Sequence, residues 1–151
     1  MKSYEQLSEN CKICWIEGFQ LTNERHTQVS GYVFNEKDEL LIVRNQKTWT
    51  VPGGHPENVE IPLESLTREL MEEACVTLKD MRYLGAVEVV EGEEVYYQLR
   101  YFARVKEILP FKEEREISER KFVDLKDLKQ YIKWADGVTF SKQIESAKKL
   151  L

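Results

Sequence analysis

Apolar and polar residues alternate from Thr27 to Phe34 (T-Q-V-S-G-Y-V-F), the two-residue period of a strand. Asn35-Glu36-Lys37-Asp38 reads as a turn. Glu39 to Arg44 (E-L-L-I-V-R) is a short continuous apolar run, which predicts a hairpin partner buried on both faces. Trp49 to Val51 predicts a brief third strand that runs into Pro52-Gly53-Gly54, a stop for regular structure. The period then changes. After Pro62, Leu63, Leu66, Leu70 and Ala74 recur at spacings of three and four, the stripe of an amphipathic helix with proline in its first turn. Met81 to Val90 and Val95 to Val105 read as two longer strands around the turn E-G-E-E, and Arg120 to Asp124 as a short one. Leu125 to Trp134 and Phe140 to Leu151 predict helices separated by Asp136-Gly137. Residues 1–25 are ambiguous and suit a short helix followed by a strand through Ile13 to Phe19. The order strands, helix, strands, helices is not a regular βαβα alternation, so an α/β fold with a mixed sheet and helices on its faces is expected.

Length adds that one domain suffices. The chain has 151 residues and shows no repeat, low-complexity tract or linker. The expectation is a single domain over 1–151, with 1–25 as an N-terminal extension packing on it and 125–151 as C-terminal helices. A net charge of −5 provides no basic footprint for a nucleic-acid polymer, yet leaves small nucleotides open, since a cation can bridge their phosphates. No apolar run approaches the roughly 20 residues of a membrane helix, and the polar start M-K-S-Y-E-Q lacks a signal-peptide core. Three cysteines, Cys11, Cys14 and Cys75, form no disulfide framework, so the cytoplasm is the expected location.

The helix carries the candidate chemistry. At about 100° per residue, Glu69, Glu72 and Glu73 form one acidic sector beside the apolar stripe, with Glu73 nearest its edge. Glu64, Arg68 and Glu72 form a second ladder, in which Arg68 can brace carboxylates on either side. Like charges at i, i+4 cost a few tenths of a kcal/mol, and a divalent cation would reverse the sign. Alone, the segment R-E-L-M-E-E-A-C-V reads as an ordinary solvated face. The upstream loop changes that. Gly53-Gly54 after a strand allows a ligand close to the backbone, and Glu60 follows before Arg68-Glu69.

Together these residues spell G-x5-E-x7-R-E-L-x-E-E-x-C-V over Gly54 to Val76. The pattern closely resembles the signature of the Nudix hydrolases, in which glycine stands where this chain has Cys75. The flank W-T-V-P-G-G-H-P-E also resembles the family's approach to its loop. The resemblance implies a Nudix-type α/β/α sandwich around a mixed β-sheet. It also implies hydrolysis of a phosphoanhydride bond in a nucleoside diphosphate linked to another moiety, with Mg2+ or Mn2+. Carried over by position, Gly53, Glu69, Glu72 and Glu73 are the expected metal ligands, with Glu60 supporting from the loop. Arg68 orients Glu69, and Glu69 is the first choice of general base beside Glu72. An additional carboxylate is expected from Glu113, Glu114, Glu116 or Glu119, with Glu116 preferred. Arg44, Trp49, Gly54 and His55 are the candidate substrate contacts. Tyr32, Trp49, Tyr97 and Tyr101 could stack a base or simply fill the core. Marks of several Nudix subfamilies are missing, which by elimination favours a nucleoside triphosphate, damaged ones included. The competing function is a catalytically silent nucleotide sensor of the same fold.

Other features carry less. Cys11-Lys12-Ile13-Cys14 has metal-ligand spacing but lacks the four ligands of a zinc site, so reduced thiols are expected. The lysines Lys126, Lys129, Lys133, Lys142, Lys148 and Lys149 predict solvated helix faces, with a homodimer or partner surface left open. At Cys75 a left-handed conformation would cost about 1 kcal/mol or more.

Overall fold

A computed structural model describes residues 2–113 and 116–151. Among the described residues, nine strands and two α-helices follow one another as β1 (Glu5–Ser8), β2 (Cys11–Glu17), β3 (His26–Phe34), β4 (Leu40–Asn45), β5 (Thr48–Thr50), β6 (Gly53–Gly54), α1 (Pro62–Ala74), β7 (Val76–Glu91), β8 (Glu94–Ile108), β9 (Ile117–Val123) and α2 (Val138–Lys148). The sheet runs β1-β2-β7-β8-β3-β4-β5, with β6 paired to β3 and β9 to β4. The β3–β8 pairing is parallel and the others are antiparallel, so the sheet is mixed as expected.

Strand periodicity sorts the core into two layers. Val29 and Val33 of β3, with Leu41 and Val43 of β4, pack under Leu66, Leu70 and Ala74 of α1. Their neighbours Tyr32, Phe34, Leu40 and Ile42 face the other way, with Phe140 and Ala147 of α2. Each face of the E-L-L-I-V-R run thus has its own helix, as a run without alternation requires. The result is the expected α/β/α sandwich.

Several expectations are corrected. Residues 1–25 contain no helix among those described. They supply the hairpin β1–β2, and β2 adds to β7 in antiparallel register from Cys11↔Glu91 to Glu17↔Gly85. The segment therefore extends the sheet itself rather than resting on it. Lys2 Nζ (2.7 Å), Tyr97 Oη (2.9 Å) and Tyr4 Oη donate to the buried Glu88 carboxylate, which anchors the first residues. Sequence alternation misses β1 because it is short and has no buried side.

The strand expected from Met81 begins at Val76, directly after α1, and reaches its full length through register shifts near Leu78, Asp80 and Leu84. Such bulges break the two-residue alternation that a sequence reading follows. The helix expected over Leu125 to Trp134 is a 3-10 helix over Leu125–Gln130, started by Asp124, whose side chain accepts from Lys126 N–H. Leu125 and Leu128, three apart, suit its three-residue turn. Leu63, placed in the apolar stripe of α1, is exposed in the first turn.

Candidate active site

The site forms where α1 crosses the glycine turn. Ser30 and Val29 of β3 pair with Gly53 and Gly54, bringing this two-residue strand beneath α1. Both glycines are required by close approach. A Cβ on Gly53 would lie 2.3 Å from Ser30 Oγ and 2.5 Å from the Val29 carbonyl oxygen. A Cβ on Gly54 would lie 2.4 Å from Glu69 Oε1 and 2.8 Å from Oε2. The missing side chain of Gly54 is therefore the space that the Glu69 carboxylate occupies. This makes Glu69, 2% exposed, the deepest of the acidic sector, in place of Glu73 as the helical wheel suggests. Glu73 Oε1 accepts the Gly53 N–H at 2.9 Å and so fixes the turn to the last part of the helix.

Arg68 holds the acidic groups in place. Its Nε and Nη2 form a two-pronged bond to Glu60 at 2.7 and 3.0 Å. Its Nη1 donates to Glu69 Oε1 at 2.9 Å and to Glu72 Oε2 at 3.1 Å, and Nη2 also donates to the His55 carbonyl at 3.0 Å. The guanidinium bond, the Glu57 N–H and the Ser65 hydroxyl hold Glu60 down at a pKa of about 2. Arg68 is correspondingly held in its charged form by Glu60 and Glu69. Arg68 thus ties the Glu60, Glu69 and Glu72 carboxylates to one another.

A cavity of about 630 Å3 opens over this arrangement, and Gly53, Gly54, His55, Glu69, Glu73 and Glu116 all border it. His55 Nδ1 lies 2.5 Å from the Thr27 carbonyl oxygen. A carbonyl only accepts, so Nδ1 carries the proton of this hydrogen bond. Among the described residues no group of three His, Cys, Asp or Glu side chains is closed tightly enough to hold a metal ion as it stands.

The remaining candidates divide. Glu72 is held by Arg68 and does not border the cavity. Of the candidate extra carboxylates, Glu116 borders it, Glu119 pairs with Arg44 at 2.9 Å, Glu113 is exposed and Glu114 lies outside the described residues. Arg44 is thereby directed to β9 and away from the cavity. Trp49 packs edge-on against Tyr131, with ring centroids 5.8 Å apart, and serves the α2-side core. Tyr97 stacks on Phe19 at 4.4 Å and Tyr101 sits against Tyr83 at 5.2 Å, so both serve the core. Gln28, Asn45 and Glu57 also border the cavity, and sequence reasoning missed them. Cys11 and Cys14 are both free. They are three apart on one strand, which directs them to opposite faces and rules out joint ligation of one ion.

A glycine turn that receives a buried helical glutamate, braced by one arginine at the edge of a mixed α/β/α sandwich, defines a class of acidic-site domains. The chain belongs to the NUDIX domain family, whose pattern matches residues 24–143. It is 32% identical over 69 residues to the putative 8-oxo-dGTP diphosphatase YtkD of Bacillus subtilis, covering 46% of this chain and 44% of the relative. It is 36% identical over 61 residues to the 8-oxo-dGDP phosphatase NUDT18 of Danio rerio, covering 37% of this chain and 19% of the relative. The chain thus spans less than half the length of these curated relatives. Among solved structures, the Bacillus subtilis pyrophosphohydrolase BsRppH superposes with a TM-score of 0.78 at 18% identity, covering 93% of this chain and 92% of that one. The NUDIX domain of Shewanella oneidensis NrtR, solved with ADP ribose, superposes with a TM-score of 0.66 at 17% identity, covering 88% and 94%. These two share the fold. Among the described residues no helix is long and apolar enough to cross a membrane.

Proposed function

We propose that the chain is a hydrolase that cleaves a phosphoanhydride bond in a nucleoside diphosphate linked to another moiety, a nucleoside triphosphate above all and damaged ones included. The observation that carries this reading is the Glu69 carboxylate seated against Gly54, with Glu73 and Glu116 on the same cavity. The donor set is hard oxygen throughout, which suits Mg2+ or Mn2+ and disfavours softer metals. Glu69 and Glu73 would hold the cation, with the Gly53 carbonyl and Glu116 completing the set and Glu72 further out. When bound, such a cation neutralises phosphate charge and acidifies the attacking water.

The protein's own groups do the rest. Arg68 keeps Glu69 aimed, and Glu69 takes the proton of the water. His55 Nε2 can hydrogen-bond substrate or water. The names of the two curated relatives support a triphosphate or diphosphate of an oxidised purine nucleoside. The partner is a small nucleotide rather than a nucleic-acid polymer or a membrane, and the free cysteines support a reducing, cytoplasmic setting.

The test is a panel of nucleoside triphosphates, dinucleoside polyphosphates and nucleotide sugars with Mg2+ or Mn2+, assayed for phosphate and pyrophosphate release. Turnover on a triphosphate, lost on chelation, is expected. Tight nucleotide binding without turnover on any of them would instead identify a sensor.

A further inference from the structure

A second cavity, of about 590 Å3, lies between the sheet and α2 and meets the acidic cavity at Gln28, which borders both. Its size suits a small planar ligand with a sugar attached. Ile13 of β2 with Val87 and Val89 of β7 make an apolar floor, and Trp134 and Phe140 line the helix side. The two ends differ, because the strand order β1-β2-β7-β8-β3 separates Glu5 from Gln98 by two strands and from Gln28 by three.

The β8–β3 end is a donor surface. Arg100 is buried, and among the described residues no carboxylate pairs with it. It donates Nε–H to Gln143 Oε1 (3.1 Å), Nη1–H to Gln28 Oε1 (2.9 Å) and the Leu99 carbonyl (3.2 Å), and Nη2–H to Gln98 Oε1 (3.1 Å). A guanidinium has only donors, so it dictates that each glutamine presents its oxygen inward. The amide NH2 groups of Gln28 and Gln98 then point the other way, and no acceptor among the described residues takes them. The β1 end is an acceptor. Glu5 Oε1 takes the Thr139 N–H at 2.9 Å at the start of α2, and the same carboxylate borders the cavity.

We propose that this cavity takes the base of the nucleotide, and that Glu5 selects a guanine-type purine by accepting its N1–H and exocyclic NH2. This rests on the nucleotide-hydrolase reading for the phosphate half of the ligand. The Arg100–glutamine end supplies donors to the carbonyl and ring-nitrogen acceptors of such a base. Adenine has a ring acceptor where guanine has N1–H, and it would set a lone pair against the carboxylate. A pyrimidine would leave much of the floor uncovered. Glu5 lies in the N-terminal hairpin, outside the region that matches the family, so this selectivity is a property of this chain rather than of the shared domain.

Titration calorimetry of the intact chain with GMP, IMP and AMP, without metal, tests base recognition apart from hydrolysis. GMP is expected to bind at least about tenfold tighter than AMP, with IMP between, as loss of base-edge hydrogen bonds predicts. Glu5→Gln keeps an oxygen for the Thr139 N–H but gives up the second acceptor, and should cut the GMP:AMP ratio about tenfold. Equal affinities, a preference for AMP, no binding of any of the three at millimolar ligand, or an unchanged ratio in Glu5→Gln would each overturn the proposal. If Glu5→Gln does not fold, the order GMP, IMP, AMP in the unaltered chain decides alone. Absence of turnover on the nucleotide panel would overturn the hydrolase reading while leaving these affinities to decide on base selection.

Discussion

Glu73 Oε1 accepts the backbone N–H of Gly53 at 2.9 Å, so a carboxylate from the end of α1 sets the glycine turn that precedes the helix. Glu73→Gln keeps an oxygen at this position and should keep the turn. It removes a negative charge that a cation needs. Turnover at saturating Mg2+ should fall by about 100-fold or more, with the melting temperature nearly unchanged. Near-normal rates would remove Glu73 from the ligand set.

Gly54→Ala tests how closely the backbone and Glu69 are fitted. The new methyl group would lie 2.4 Å from Glu69 Oε1, against a buried carboxylate that Arg68 also grips. Overpacking of this kind costs about 1–3 kcal/mol. Denaturant unfolding should show that loss, together with a fall in turnover larger than stability explains. A fully active, fully stable Gly54→Ala would mean that Glu69 has another place to go.

The sequence spacing exposes this constellation well, because Gly53, Gly54, Glu60, Arg68, Glu69 and Glu73 are brought together by one turn and one helix. Local geometry is what periodicity encodes. The contacts that Arg44 and Trp49 make are illegible for the opposite reason. Glu119 and Tyr131, which engage them, are remote in sequence, and nothing near residue 44 or 49 announces them. The second cavity was equally hidden, since β1, β7, β8 and α2 all contribute to it. Glu116 was legible only as one of several acidic residues before the last strand.

The Glu60–Arg68 pair should give stability a particular pH dependence. Glu60 is held at about 2 when folded, against an ordinary value of 4.5. Between these values the unfolded chain binds a proton that the folded chain refuses. Its stabilisation is therefore complete above about 4.5 and drains away as pH falls toward 2. Arg68→Met should lower stability at neutral pH and flatten this limb. Urea unfolding at steps from pH 6 to pH 2 reads both, and an unaltered slope in the variant would detach the acid sensitivity from this pair.

Cys75 stands at the helix exit with φ 56° and ψ 45°, the left-handed conformation expected from the family's glycine. Its N–H still reaches the Met71 carbonyl, and Arg120 Nη1 caps the Ala74 and Cys75 carbonyls at 2.7 and 3.3 Å. Cys75→Gly relieves about 1 kcal/mol of backbone strain but loses a buried CH2–SH worth a similar amount. The net change in unfolding free energy should stay within about 1 kcal/mol, with activity retained. A large loss of turnover in a folded Cys75→Gly protein would assign the thiol a role.

Pairing of β2 with β7 bridges sequence separations of 68 to 80 residues. On a ribosome, β2 therefore emerges long before β7, and the edge it does not share with β1 waits open. Contacts of such range slow folding and leave a sticky edge exposed meanwhile. Glu17 on β2 places negative charge beside that edge during the wait, which discourages like strands from joining each other.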